Sequence, residues 1–281
     1  MTQVLFRRGA LGDVVLLGSV TAGAPEPVHV VTDARYAGLV RKLRGVAQVH
    51  IWGDKRMQLP DDARTVDLQG SIRNAHRRIN KRSVRRRVRL LSDRVTPRPS
   101  VPTLYAEACG WDAVSPVWFR LPEHRRDVLA LVPGASTGPK RWTPNGYVQL
   151  GQRWDGPVVV LGGPDERGLV EQVAKGIPGA VALAEEGFSE TLLWLARARV
   201  AVAGDSGLMH LAGACGVPVV ALFGPTHTAD GFFVYRGEAV ERKLFCRPCT
   251  LHRATRCWTG THRCMEHTVD TVWAAVCSCA G

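Results

Sequence analysis

Short apolar, β-forming runs recur along the chain, and each is closed by a glycine-bearing turn that opens a helical stretch. Residues 3–8 read as a strand, Gly9-Ala10-Leu11-Gly12 as a turn, and a helix starts at Asp13. Residues 28–32 form a second strand before a helix over 34–43, and 49–52 and 65–68 read as two more. The second half repeats the pattern, with strands at 128–132, 157–161, 180–183, 200–203 and 217–223. Its helices begin at Thr143-Pro144 and run to about 154, then over 165–175, 189–198 and 206–215. Strand, turn and helix in alternation predict parallel sheets with crossover helices. The fold class is therefore α/β, with two Rossmann-like domains at 1–122 and 123–281. Thr96-Pro97-Arg98-Pro99-Ser100-Val101-Pro102 reads as loop. Residues 269–276 read as a last helix.

A chain of 281 residues is long enough for two such domains and needs no disulfide staples. No run approaches the ~18 apolar residues of a membrane-spanning helix. The opening residues lack the parts of a signal peptide, so a cytoplasmic protein is expected. The formal charge of +12 is concentrated. Residues 73–98 hold 11 Lys/Arg against one acid, Asp93, a net +10. That segment, with Arg73, Arg77, Arg78, Lys81 and Arg82, reads either as a solvated helix face or as a surface for an anionic partner.

Three strand-to-helix turns carry candidate chemistry. Gly9 to Asp13 could bring a ligand close to the backbone and a helix start. Taken alone, the spacing favours an ordinary turn with Asp13 as a capping residue. Pro133-Gly134-Ala135-Ser136-Thr137-Gly138-Pro139-Lys140-Arg141-Trp142 combines hydroxyls, amides and a lysine, which suits a diphosphate. It lacks Walker A spacing. Gly204-Asp205-Ser206-Gly207 opens a helix that Asp205 or Ser206 can cap, with His210 one turn in. Phe223-Gly224-Pro225-Thr226 adds a further tight loop at the same sheet edge.

These motifs resemble those of glycosyltransferase family 9, the ADP-heptose:lipopolysaccharide heptosyltransferases. The matching segments are Arg8-Gly9-Ala10-Leu11-Gly12-Asp13-Val14-Val15, the loop from Pro133 to Trp142, and the run from Ala203 to Ala212 continuing through Gly216 to Thr226. The resemblance implies a GT-B fold, with two domains facing across a cleft, and inversion in a single displacement without a catalytic metal or other catalytic cofactor. It implies Asp13 as general base. It also implies that Lys140, with Ser136 or Thr137, neutralises the leaving diphosphate. Gly12, Asp205, Ser206, Gly207 and His210 would line the donor pocket, and Glu166 would contact the nucleotide ribose. The donor would be ADP-heptose or a related nucleotide sugar. The acceptor would be an anionic glycan or glycolipid such as lipopolysaccharide core. Peripheral contact at the inner face of the cytoplasmic membrane is part of the same reading. The chain is shorter than typical members, with an abbreviated first domain, and its basic segment lies where the family handles the acceptor.

Six of the eight cysteines lie after residue 245. Cys246-x2-Cys249-x7-Cys257-x6-Cys264 spans 19 positions, and four thiolates suit a structural zinc or iron. Some family members carry a comparable element, with iron in one branch. Four reduced, unligated thiols are the alternative. His252, His262 and His267 are substitute ligands, and Cys277 and Cys279 have no assigned role. Two other functions fit parts of the chain. One is a different nucleotide-sugar enzyme on the same fold, such as a 2-epimerase. The other is a nucleic-acid-binding protein, which the basic run favours but its lack of interleaved aromatics opposes. No specific nucleic acid is expected.

Overall fold

The computed structural model describes residues 1–69, 99–114, 116–122, 126–184, 187–228, 233–249 and 256–281. The basic segment, with Arg73, Arg77, Arg78, Lys81 and Arg82, lies outside the described residues, as does His252. The chain divides into two units, Met1–Arg120 and Leu121–Gly281.

The first unit contains β1 (Gln3–Phe6), α1 (Leu11–Val15), α2 (Gly18–Thr21), β2 (Val28–Thr32), α3 (Ala34–Val40), β3 (Val46–Ile51), β4 (Arg64–Asp67) and α4 (Val101–Cys109). Among the described residues its strands form one parallel sheet in the order β3-β2-β1-β4. Leu5 pairs with Val30 on one side and Val66 on the other, and Val4 and Leu5 are fully buried. Burying each such side chain contributes roughly 1.5–3 kcal/mol. Gly18 lets α2 lie directly on Trp118, since a Cβ there would come within 2.5 Å of the Trp118 Cβ.

Helix α4 corrects the loop reading of Val101 and Pro102. Ser100 is the N-cap, accepting from the Thr103 amide at 3.3 Å, and Pro102 sits in the first turn. Proline breaks a helix interior but costs little here, because first-turn amides have no intrahelical partner. The helix stops at Gly110, whose φ of 74° is the left-handed stop that glycine tolerates.

The second unit contains β5 (Val128–Val132), α5 (Pro144–Gln152), β6 (Val158–Gly162), α6 (Arg167–Lys175), β7 (Val181–Ala184), α7 (Ser189–Arg197), β8 (Ala198–Gly204), α8 (Gly207–Ala214), β9 (Val219–Phe223), β10 (Gly237–Glu241) and α9 (Val269–Ala280). All its described strands are parallel, in the order β7-β6-β5-β8-β9-β10. That is the dinucleotide-binding order 3-2-1-4-5-6, with its switch point between β5 and β8. Strands β5, β6 and β9 are buried at every position, as a sheet covered on both faces requires. Strand β10 extends the sheet beyond β9 and was not expected.

Helix α9 is the last helix that the sequence places at 269–276, and it continues to Ala280. Capped by Thr268, it buries Val272, Ala275 and Val276 in the core of the second unit, against β8, β9, β10 and α5. Trp142 Nε1 donates to the His267 carbonyl at 3.0 Å, joining the loop after β5 to the start of this helix.

Candidate active site

In the first unit the chemistry gathers where β1 and β4 end. Arg7, immediately after β1, is buried, with 4% of its surface exposed. Its Nη1 donates to the Leu68 carbonyl at 2.8 Å, across the gap between the two strand ends. Its Nη2 donates to Asp13 Oδ2. Asp13 is not a capping residue: Ala10 is the N-cap of α1, and no side chain caps that helix. The carboxylate instead turns to Arg7, and its side chain stays partly exposed. Tyr105 donates its hydroxyl to the Asp13 carbonyl at 3.1 Å, fixing the backbone from α4. Gln69 Oε1 accepts from the Arg8 amide at 3.0 Å and holds the two strand ends in register. Gly12 lies within α1, its carbonyl accepting from Leu16.

In the second unit the loops after β5 and β8 meet at the switch point. Gly138–Lys140 forms a short 3-10 turn that carries Lys140 inward. Lys140 and Asp205 are each only 6% exposed, and Lys140 Nζ lies 2.5 Å from Asp205 Oδ2. The same oxygen accepts from the fully buried Thr226 hydroxyl at 2.9 Å. The Lys140 backbone packs on Gly204, where a Cβ would come within 2.8 Å of the Lys140 carbonyl oxygen. Asp205 is therefore committed to the lysine, and Ser206 alone caps α8, accepting from the Met209 amide at 3.3 Å. Gly207 follows as the first residue of α8.

His210 is half-buried and meets the Phe233 ring at 5.7 Å. Burial holds its pKa below the ordinary histidine value; Asp205 opposes that shift and Lys140 reinforces it. Ser136 is exposed, whereas the Thr137 hydroxyl oxygen is buried without a hydrogen-bond partner among the described residues. A buried hydroxyl of this kind leaves a hydrogen-bonding need unmet. Arg141 folds the loop on itself by donating twice to the Ala135 carbonyl. Glu166 already has a local role: its Oε2 accepts from the Gly163 amide at 3.1 Å, with its carboxylate over Gly134.

The cysteine element is partly assembled. All eight cysteines are free thiols. Burial raises the Cys249 and Cys264 pKa values, and neighbouring thiols, Cys246 and Cys257 among them, raise them further. The Thr259 hydroxyl, 3.1 Å from Cys257 Sγ, lowers the Cys257 pKa to about 7, with backbone groups assisting. The donor chemistry thus fits a thiophilic cation that would relieve the crowding. Among the described residues, however, no three ligand side chains converge in a metal-holding arrangement. The Cys249 thiol is turned toward the Cys246 carbonyl.

Sequence reasoning missed Arg7 and Arg247, and it gave Thr226 no role beyond its place in the tight loop after β9, although these residues bond Asp13, the Gly224 and Thr226 carbonyls, and Asp205 respectively. A basic residue directly after a buried strand was the available signal for Arg7. No local pattern marks Arg247.

Two Rossmann-like units, each a parallel sheet with glycine-bearing loops at its strand ends, define the class of architecture, the GT-B fold. The chain belongs to glycosyltransferase family 9 (heptosyltransferase), whose profile matches residues 28–231. It is 33% identical over 111 residues to lipooligosaccharide heptosyltransferase 2 of Haemophilus influenzae, covering 36% of this chain and 32% of that one. The chain thus spans about a third of the length of this relative. The fold matches the ADP-heptose lps heptosyltransferase II of E. coli with a TM-score of 0.71 and 19% identity, over 100% of this chain and 98% of that one. E. coli heptosyltransferase WaaC with ADP gives 0.70 and 15%, over 99% and 100%. The iron-containing dodecameric glycosyltransferase TibC from enterotoxigenic E. coli gives 0.65 and 15%, over 99% and 75%. Among the described residues no helix is long and apolar enough to cross a membrane.

Proposed function

We propose that this chain transfers a heptose from ADP-heptose to a lipopolysaccharide-type acceptor, with inversion at the anomeric carbon. The buried Lys140–Asp205 pair at the switch point of a dinucleotide-order sheet carries the reading. In this mechanism the Asp13 carboxylate takes the proton of an acceptor hydroxyl as its oxygen bonds to the anomeric carbon. The bond from that carbon to the ADP oxygen breaks, and the electron pair leaves with the diphosphate. Lys140, held by Asp205, offsets the charge that develops there. Ser136, Thr137, Ser206, Gly207 and His210 line the donor side, and the orphaned Thr137 hydroxyl is suited to a phosphate oxygen. The acceptor is anionic, matching the charge of residues 73–98, and the reaction takes place at the cytoplasmic face of the membrane.

Cys246, Cys249, Cys257 and Cys264 would hold a zinc or iron ion that stabilises the C-terminal loop. Such an ion would act structurally only, because four thiolates leave no open position.

Calorimetric titration with ADP, UDP and GDP, followed by turnover of ADP-heptose on heptose-deficient lipopolysaccharide, tests the proposal. ADP should bind most tightly. Asp13→Asn should keep that affinity and lose about 10²–10⁴-fold in turnover. Near-normal transfer by Asp13→Asn would remove the base assignment. Isomerised donor without acceptor would favour an epimerase.

A further inference from the structure

Arg247 lies inside the cysteine element, yet what it touches belongs to the loop after β9. Its side chain is only 3% exposed. Nη2 donates to the Thr226 carbonyl at 2.8 Å, Nη1 to the Arg242 carbonyl at 2.6 Å, and Nε to the Gly224 carbonyl. Glu241 Oε1 stands 3.7 Å away as its counter-charge and also accepts from the Thr228 amide at 3.0 Å. Two further contacts press the cysteine element onto this loop. The Cys249 amide donates to the Pro225 carbonyl at 2.9 Å. Gly224 runs so close that a Cβ there would lie 2.3 Å from Met265 Sδ and 3.5 Å from Cys264 Sγ.

A buried guanidinium is costly unless its donors are used, and charge-assisted bonds to carbonyls fix whatever supplies them. Here they fix Gly224 to Thr226, and Thr226 is the residue whose hydroxyl donates to Asp205. Asp205 in turn holds the Lys140 ammonium. The series therefore runs from the cysteine element through Arg247, the Thr226 backbone, the Thr226 hydroxyl and Asp205 to Lys140, entirely within the second unit.

We propose that Arg247 and Thr226 are positioning residues for Lys140, so that the cysteine-rich element sets how well the protein grips the donor diphosphate. The idea rests on the reading of Lys140 as the diphosphate residue. It gives the element a task beyond bracing its own loop: a change in its state reaches the donor site through hydrogen bonds already in place.

Calorimetry with ADP and with adenosine on the full chain separates the possibilities. Thr226→Val keeps the volume and removes the hydroxyl, and Arg247→Lys keeps the charge and removes the fork. Each should weaken ADP about tenfold, the scale of a lost bond to a charged group, and leave adenosine unchanged. Thr226→Ser should bind ADP as the parent does. In a Lys140→Met/Asp205→Asn background, which removes both halves of the ion pair, neither substitution should weaken ADP further. Full ADP affinity in Thr226→Val, or an undiminished extra loss in that background, overturns the relay. Equal loss of ADP and adenosine overturns it too, as a general structural effect. If the background itself binds ADP normally, the diphosphate reading fails and takes the relay with it. Should Arg247→Lys fail to fold, Thr226→Val and Thr226→Ser decide the matter, because every route from Arg247 to Asp205 in the proposal passes through that hydroxyl.

Discussion

Lys140 Nζ sits 2.5 Å from Asp205 Oδ2, with both side chains almost wholly removed from solvent. Such a pair stabilises little relative to an apolar filling, but breaking it from one side strands a buried charge at about 3–5 kcal/mol. Lys140→Met should therefore lower the unfolding midpoint of the protein markedly. Adding Asp205→Asn removes the stranded charge and should restore part of that loss. Transfer should stay about 10²–10³-fold down in both variants, the scale of one lost charge-stabilising group. Denaturant melts beside turnover measurements read the two effects separately. Equal stability of the single and double variants would mean that the pair is not buried as described.

Arg7 joins two strand ends by one guanidinium, Nη1 on the Leu68 carbonyl and Nη2 on Asp13. Lysine offers a charge but no planar fork, so Arg7→Lys cannot make both contacts in the same geometry. Donor KM should stay unchanged while kcat falls about tenfold, because only the orientation of the base is lost. In an Asp13→Asn background the substitution should have little further effect on kcat. A rise in KM with intact kcat would place Arg7 in binding rather than in positioning Asp13.

Strands were the most legible part of the chain, because a parallel strand covered on both faces must be apolar throughout. Val28–Thr32 and Val128–Val132 have the bounds that their sequences suggest. Loops with special composition were legible too, which is why Lys140, Asp205 and Ser206 stand out. Helix α4 is hard to read from the sequence because proline signals both a breaker and a first-turn residue, and Ser100 is what decides between them. Strand β10 has no clear sequence signal, because Gly237-Glu238-Ala239-Val240-Glu241 has a single buried side chain, Val240, at the described edge of its sheet. Asp13 was assigned a capping option that the structure gives to no side chain. Thr226 and Arg247 act on residues at separations of 21 to 23 along the chain. Nothing at their own positions records such partners.

Gly134 and Glu166 form a second coupled pair. A Cβ at Gly134 would lie 2.1 Å from Glu166 Oε1, so Gly134→Ala must move that carboxylate. The moved group gives up the Gly163 amide, which it now accepts at 3.1 Å. Gly134→Ala should cost about 1 kcal/mol, the scale of a lost hydrogen bond. Added to Glu166→Ala, it should cost almost nothing, because the obstacle and the bond are already gone. Additive losses in urea unfolding would show that the backbone conformation, not the carboxylate, makes glycine necessary there.

His267 is buried at the start of α9, its Nε2 without a hydrogen-bond partner among the described residues. Burial lowers its pKa from 6.5 to about 4, and the positive charges of Arg242 and Arg247 push the same way. The folded protein thus keeps this ring neutral where the unfolded chain would protonate it. Between pH 6.5 and 4 the unfolded state binds the extra proton, so stability falls as the pH is lowered through that window. The slope from this group approaches 1.4 kcal/mol per pH unit and vanishes above pH ~7. His267→Gln should flatten the acid side of the stability profile without altering its neutral plateau by the same amount. Some slope should remain, because burial also lowers the pKa values of His50 and His210. Thermal midpoints from pH 4 to 8 for the two proteins, taken as a difference, isolate the contribution. Parallel profiles would mean that His267 reaches water in the folded state and that α9 does not close over it.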